Sequence, residues 1–252
     1  MPSPPPAPAG PRSHHAPPNI AIVLAGGSGL RFGGDVNKVL VSIGGRPVIA
    51  YSLATFDRCE RIDAIVIVIR SGDEQLIHEA VEASGITKLA AVVPGGATRQ
   101  GSEWAGIQAA ASLGHDGASV LLHDAARPFL TNALLDRIID DAGAGGTIPT
   151  TPIGAPLIDP TGQIVVAGDL MRVQTPQAFP LALLLDVYPR AEADGFAGVD
   201  TAETMQHYGA AAARWVAGDE RNIKVTHPDD RDVAEELARR FVDGVWSDLT
   251  DD

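Results

Sequence analysis

The chain has 252 residues, 45% apolar, 20% charged and 5% aromatic, with a formal net charge of −13. Such proportions describe a globular protein of one domain, or one domain with an appendage, long enough to bury about 70% of its unfolded surface without disulfides or metals. Acidity argues against a nucleic-acid polymer as partner, the lone Cys59 excludes a disulfide framework and a Cys-based zinc site, and no apolar run is long enough for a membrane-spanning helix.

Residues 1–19 hold eight of the 19 prolines and almost no large apolar side chain, so they are expected to form a disordered tail. His14 and His15 lie there, and two ligands do not close a metal site. The N-terminus lacks the charged-then-apolar order of a signal peptide, and a reducing, cytoplasmic location follows as the expectation. The domain is expected over 20–243. It opens with the apolar run Ile20 to Leu24, which ends at Gly26 and Gly27 as a strand buried on both faces would. Further runs fall at Ala64 to Ile69, Leu89 to Val93 and Ser119 to His123. Helical spacing separates them at Pro47 to Phe56, Asp73 to Ala83 and Gln100 to Leu113. This alternation predicts an α/β fold with a doubly wound, mainly parallel sheet. Residues 147–173 break the alternation with Pro and Gly punctuation between β-branched residues, and a projecting β-hairpin arm is expected there, resting on a second copy of the chain. Helices return at Leu181 to Asp194 and Pro228 to Phe241, with a strand at Ala211 to Val216 between them, before an acidic tail at 244–252.

In a doubly wound sheet, ligands sit beyond the carboxyl ends of the strands, so the loops after Leu24, Val93 and His123 should meet in one crevice. The first loop, Leu24 to Lys38, is rich in glycine and carries Arg31 and Lys38, which suits backbone N–H groups wrapped around phosphates. It matches neither a dinucleotide fingerprint nor a P-loop. The second, Pro94 to Ser102, could read a base edge with its backbone while Arg99 and Ser102 anchor either loop or ligand. The third, His123 to Pro128, places Asp124 where it could hold Mg²⁺ or simply cap a turn. His123 reads as a support of that loop rather than a base. Asn222 to Thr226 alternates like a strand, with Lys224 and Thr226 on one face. Three cations, one carboxylate and two backbone nests suit nucleotidyl transfer, in which an acceptor phosphate attacks in line and no side-chain nucleophile is needed.

From Asn19 to about Phe241 the chain resembles the 2-C-methyl-D-erythritol 4-phosphate cytidylyltransferases of the non-mevalonate isoprenoid pathway. The resemblance rests on five motifs in order: the loop with Arg31 and Lys38; Gly95, Gly96, Arg99 and Ser102; His123 to Pro128; Gln174 to Gln177; and Asn222 to Thr226. It implies a Rossmann-like nucleotidyltransferase using CTP and Mg²⁺, releasing pyrophosphate and acting on a small polyol phosphate. It further implies a homodimer in which the arm of one subunit reaches over the other's site. Carried over, Arg31, Lys38 and Lys224 bind the triphosphate and stabilise the transition state. Ala25, Gly26, Gly27, Gly29, Gly95, Gly96, Arg99 and Ser102 line the nucleotide. Asp124 sits beside Mg²⁺ and acceptor, with Arg127, Thr175 and Arg172 on the acceptor side.

Several positions depart from the family pattern. Asn37 and Val39 flank the lysine in place of a usual Pro and Gln. Ile153 to Leu157 replaces an Asp-Thr-Ile-Lys-like run, Ala167 stands near an expected arginine, and Val199 occupies a threonine position. These departures, all but the first on the acceptor side, keep two alternatives open: another acceptor such as ribitol 5-phosphate, and a non-catalytic paralogue that binds CTP without turnover. A more distant likeness to molybdopterin guanylyltransferases is opposed by His123 to Pro128 and Gln174 to Gln177.

Overall fold

A strand enclosed on both faces must be apolar at nearly every position, and β1 (Asn19–Ala25) meets that condition with six of seven residues buried. It lies in a computed structural model that describes residues 17–27, 37–115, 117–143, 145–154, 157–158, 161–165, 170–208 and 213–247. Most of the proline-rich segment therefore lies outside the described residues. Its expected end at residue 19 is one residue late, because buried Asn19 already pairs with Ser119 and donates from Nδ2 to the Arg61 carbonyl at 2.9 Å.

After β1 come a 3₁₀ turn at Lys38–Leu40, a small hairpin of β2 (Ser42–Ile43) and β3 (Arg46–Pro47), and α1 (Val48–Arg58). Then β4 (Ala64–Ile69), α2 (Glu74–Ser84), β5 (Leu89–Pro94), α3 (Arg99–Ser112), β6 (Ser119–Asp124) and α4 (Asn132–Asp140) follow in alternation. The second half holds β7 (Thr147–Pro152), β8 (Leu157–Ile158), β9 (Ile164–Val165), β10 (Met171–Val173), β11 (Gln177–Pro180), α5 (Leu181–Ala193), α6 (Thr201–His207), β12 (Arg214–Ala217), α7 (Asp230–Ala238), β13 (Phe241–Val242) and β14 (Val245–Trp246).

The principal sheet runs β10-β7-β11-β6-β1-β4-β5, with β12 on β7. Its β6-β1-β4-β5 half is parallel, whereas β11 joins β6 and β7 antiparallel. Because strand side chains alternate, β1 and β4 serve two cores at once. Ala21, Val23, Ile65 and Ile67 pack under α1, α2 and α4, while Ile20, Ile22, Val66 and Val68 pack under α3 and α5. The run expected as a buried strand at Leu89 to Val93 is an edge strand whose residues alternate between half-buried and exposed.

The arm is corrected in one respect. Its first and last strands, β7 and β10, belong to the principal sheet, and only β8 and β9 form a separate two-stranded hairpin. β7 has β-branched residues at four of its six positions and is flanked by β11 and β12, which makes it a sheet strand rather than a free hairpin leg. Another correction concerns the C-terminus: the boundary expected at 243 falls inside the β13–β14 hairpin. Trp246 packs there against Phe129 and Phe241, with ring centroids 5.7 and 4.9 Å away, so residues 245–247 belong to the domain.

Candidate active site

Parallel strands in register bring their carboxyl ends level, here Leu24 opposite Asp124, Ala25 opposite Ile69 and Ile69 opposite Pro94. The turns leaving β1 and β5 converge on Ser102. A Cβ on Gly26 would lie 3.6 Å from its Oγ, and one on Gly95 only 2.7 Å. Gly96 is equally confined, since a Cβ there would stand 2.8 Å from the carbonyl carbon of Gly101. Thr98 caps α3 by accepting from Gly101 N at 3.0 Å, and Ser102 Oγ donates to the Thr98 carbonyl at 3.0 Å. Ser102, left open between anchoring loop and ligand, is an anchor of the loop in this chain.

Gly29 and Arg31 lie outside the described residues, while Gly27 and Lys38 mark the two ends of that loop. Asn37 holds its far end. The Asn37 amide donates to the Ala25 carbonyl at 2.8 Å and to Asp73 Oδ2 at 2.9 Å, and Arg70 clasps the same carboxylate. Asn37 thus ties Lys38 to the end of β1, a role the sequence does not signal, because a short amide before a 3₁₀ turn reads equally as a simple cap.

Asp124 is the electrostatic centre. Its Oδ1 accepts from Arg99 Nη1 at 2.7 Å and its Oδ2 from Lys224 Nζ at 2.6 Å. Burial alone raises a carboxyl pKa, but Arg99 and Lys224 outweigh it and hold Asp124 well below the usual carboxylate range. The guanidinium of Arg99 is engaged on its other side by Glu103, Nε to Oε1 at 2.9 Å. Within this chain Arg99 therefore fastens the α3 loop to Asp124. Glu103 escaped the sequence reading: one carboxylate in a helix passes for surface, and its only signal was its place one turn after Arg99.

Lys224 does not lie on a sheet strand. The segment Asn222 to Thr226 forms no ladder, and it docks side-on to the loop after β6. Val225 N donates to the Ala126 carbonyl at 2.8 Å, Arg127 Nη1 to the Asn222 carbonyl at 2.7 Å, and Asn222 Nδ2 to the Thr175 carbonyl at 3.0 Å. Val225 is also buried with Tyr51, Phe129 and Phe241, so an aromatic cluster fixes the residue next to the lysine. Arg127, expected on the acceptor side, is buried and braces this segment; its Nε has no partner among the described residues.

His123 is buried between two partners. Its Nε2 lies 3.0 Å from the Arg127 carbonyl, which can only accept, so Nε2 carries the hydrogen. Nδ1, 3.2 Å from Thr175 Oγ1, then accepts, and Thr175 Oγ1 in turn accepts from Asp124 N at 3.0 Å. Burial pushes the His123 pKa down to about 4, so the neutral ring holds the loop carrying Asp124. Two further residues of the Gln174 to Gln177 motif are braces. Gln174 exchanges two hydrogen bonds with the Asp219 backbone, and Gln177 bonds Asp200 and Ala202 N ahead of and within α6. Arg172 is exposed on β10, and Val199 is 77% exposed where a threonine was expected. Ala167 and part of the Ile153 to Leu157 run lie outside the described residues.

The described residues contain no group of three or more His, Cys, Asp or Glu side chains able to hold a metal alone. They do offer one carboxylate kept ionised beside two cations. Among the described residues no helix is long and apolar enough to cross a membrane.

Residues 19–240 match the family model described as 2-C-methyl-D-erythritol 4-phosphate cytidylyltransferase. A relative of that name from Geobacillus thermodenitrificans is 36% identical over 222 residues, covering 86% of this chain and 95% of its own. One from Bifidobacterium longum is 32% identical over 250 residues, covering 94% and 86%. Among solved structures, a 4-diphosphocytidyl-2C-methyl-D-erythritol synthase from Anaerococcus prevotii superposes with a TM-score of 0.76 at 28% identity, covering 89% of this chain and 97% of its own. A 2-C-methyl-D-erythritol 4-phosphate cytidylyltransferase from Thermus thermophilus gives 0.71 at 29% identity, covering 87% and 98%.

Proposed function

The chain belongs to the 2-C-methyl-D-erythritol 4-phosphate cytidylyltransferase family, and from that membership we propose how its residues carry out the reaction. It is a nucleotidyltransferase of isoprenoid precursor synthesis that moves a cytidylyl group from CTP to 2-C-methyl-D-erythritol 4-phosphate. An oxygen of the acceptor phosphate attacks the α-phosphorus, forming one P–O bond as the bond to the β-phosphate oxygen breaks, and pyrophosphate leaves. The acceptor is already an anion near neutral pH, so the protein's task is positioning and charge compensation.

The observation that carries this reading is the Lys224–Asp124–Arg99 chain at the level carboxyl ends of the parallel strands. Lys224 and Lys38 compensate the triphosphate's charge as it shifts to the leaving pyrophosphate, and Arg31 is assigned the same role. Gly95 and Gly96, held close to α3, present their backbone to the cytosine, with Ser102 fixing that turn. Ala25, Gly26 and Gly27 take the phosphate side with Gly29. Arg127, Thr175 and Arg172 stay assigned to the acceptor, the first two by shaping the loop around Asp124. A hard divalent cation fits the site, since Mg²⁺ needs only one or two protein carboxylates when phosphates and water supply the rest, and Asp124 is ionised there. Bound Mg²⁺ supplies charge neutralisation to the triphosphate. We also assign a homodimer built through the arm, and a cytoplasmic location suited to phosphorylated substrates.

The test is pyrophosphate release from CTP and Mg²⁺, with methylerythritol 4-phosphate and ribitol 5-phosphate supplied in parallel. The first acceptor should support turnover, and Lys38→Ala and Lys224→Ala should each slow it ~100-fold or more. Wild-type rates in either variant would refute the charge-compensation role. Turnover with ribitol 5-phosphate alone would reassign the acceptor.

A further inference from the structure

Glu103 is fully buried, yet nothing in the transfer reaction calls for a carboxylate there. Its two oxygens are both acceptors: Oε1 takes the Arg99 Nε hydrogen at 2.9 Å and Oε2 the Tyr188 hydroxyl at 2.8 Å, with Thr201 also bonded to the carboxylate. Burial pushes the Glu103 carboxyl pKa up, and Arg99, Tyr188 and Thr201 act against it by stabilising the ionised form. A carboxylate buried without a partner is strongly unfavourable, so its retention needs the Arg99 pairing.

The side chains form an ordered series, Lys224 to Asp124 to Arg99 to Glu103 to Tyr188, in which the charge alternates until it ends on a neutral hydroxyl. Arg99 presents Nη1 to Asp124 and Nε to Glu103, so the planar guanidinium is oriented from both ends. Without Glu103 the guanidinium could swing to chelate both Asp124 oxygens, and Lys224 would lose its partner. The far end of the series also reaches the acceptor side, because Tyr188 belongs to α5, Thr201 opens α6, and Gln100 of α3 accepts from Gly198 N at 3.1 Å.

We propose that Glu103 is a positioning residue for the transfer reaction: held by Tyr188 and Thr201, it fixes Arg99 so that Asp124 keeps one oxygen for Lys224. The inference rests on the assignment of Asp124 and Lys224 made above. It is tested by measuring kcat and KM for CTP in Glu103→Ala, Glu103→Gln, Tyr188→Phe and Asp124→Asn, with urea unfolding of each protein.

Glu103→Ala should lower kcat about 10- to 100-fold, as loss of a supporting partner does at other charged sites. KM for CTP should stay within about threefold, because the lost interaction acts on the transition state. Glu103→Gln, which keeps an acceptor for Arg99 Nε, should recover part of the rate. A folded Glu103→Ala with wild-type kcat, a loss confined to KM, or a Gln variant no faster than Ala would each overturn the proposal. Should the Ala variant not fold, Tyr188→Phe decides: a reduced kcat supports the proposal and an unchanged one overturns it. Wild-type turnover in Asp124→Asn would show instead that the underlying site assignment fails, and the proposal with it.

Discussion

His123 shows how a single residue can carry a pH dependence without touching the chemistry. Its folded pKa is pushed down to about 4 from an ordinary 6.5, because burial excludes the charged ring. Above pH 6.5 the ring is neutral in both folded and unfolded chains and costs nothing. As pH falls from 6.5 toward 4 the unfolded chain binds a proton that the folded one refuses, so stability drops through that window by up to about 3 kcal/mol. The Asp124 carboxyl acts at lower pH: its folded pKa is depressed, so its stabilisation is full above the ordinary carboxylate value and is lost below it. Urea unfolding of wild type and His123→Gln across the histidine window separates the two groups. The wild type should lose stability faster on acidification, by about 1.4 kcal/mol per pH unit at the steepest point relative to the variant. Parallel curves would mean that the ring is not held neutral.

At the scale of elements, the start of α3 and the turn before it behave as one unit. A methyl group on Gly96 meets the Gly101 carbonyl carbon at 2.8 Å, and the neighbours are backbone, which cannot rotate away. Gly96→Ala should therefore cost about 1–3 kcal/mol and displace the α3 N-terminus, with weaker CTP binding by calorimetry. Unchanged stability together with unchanged CTP affinity would show that the turn has slack. The same unit explains what could be read in the sequence. The strands β1, β4 and β6 announce themselves as unbroken apolar runs because both faces are covered, and the glycine-rich turns follow from their ends. α4 and α6 were not anticipated: they span nine and seven residues, too short for periodicity to stand out, although Thr131 and Asp200 cap them. β11 has four residues and ends in Pro180, so it reads as loop until β6 and β7 supply its partners. Asn222 to Thr226 errs in the opposite sense, since alternation reports two faces but not a ladder. The site residues with charge or glycine were legible by type; the braces Asn37, Glu103, Gln174 and Gln177 were not assigned, because their partners are more than twenty residues away or lie on other elements.

For the whole molecule, the question is where the remaining apolar surface goes. Leu157 of β8, Leu170 just before β10, and Met171 and Val173 of β10 are 37–39% exposed. A two-stranded hairpin such as β8–β9 is marginal in water alone, and partly exposed apolar side chains there and along β10 favour a covering surface. The homodimer proposed above would meet this need by twofold pairing, with each arm covering the other in one symmetric contact. Arg172 lies between Met171 and Val173 on β10 and, because strand side chains alternate, leaves the strand on the opposite face, so it would depend on the pairing through the placement of β10. Purified wild-type protein should then sediment as a dimer at micromolar concentration, and Met171→Asp combined with Val173→Asp should shift it toward monomer by placing like charges in the contact. CTP binding should persist in that variant, because Lys38, Lys224 and the Gly95 turn come from the body of the fold, while the KM for the acceptor should rise as Arg172 loses its place. A wild-type monomer would remove the arm's assigned role. A dimer that survives both charges would move the interface to another face, and the exposed side chains of the arm would need a different cover.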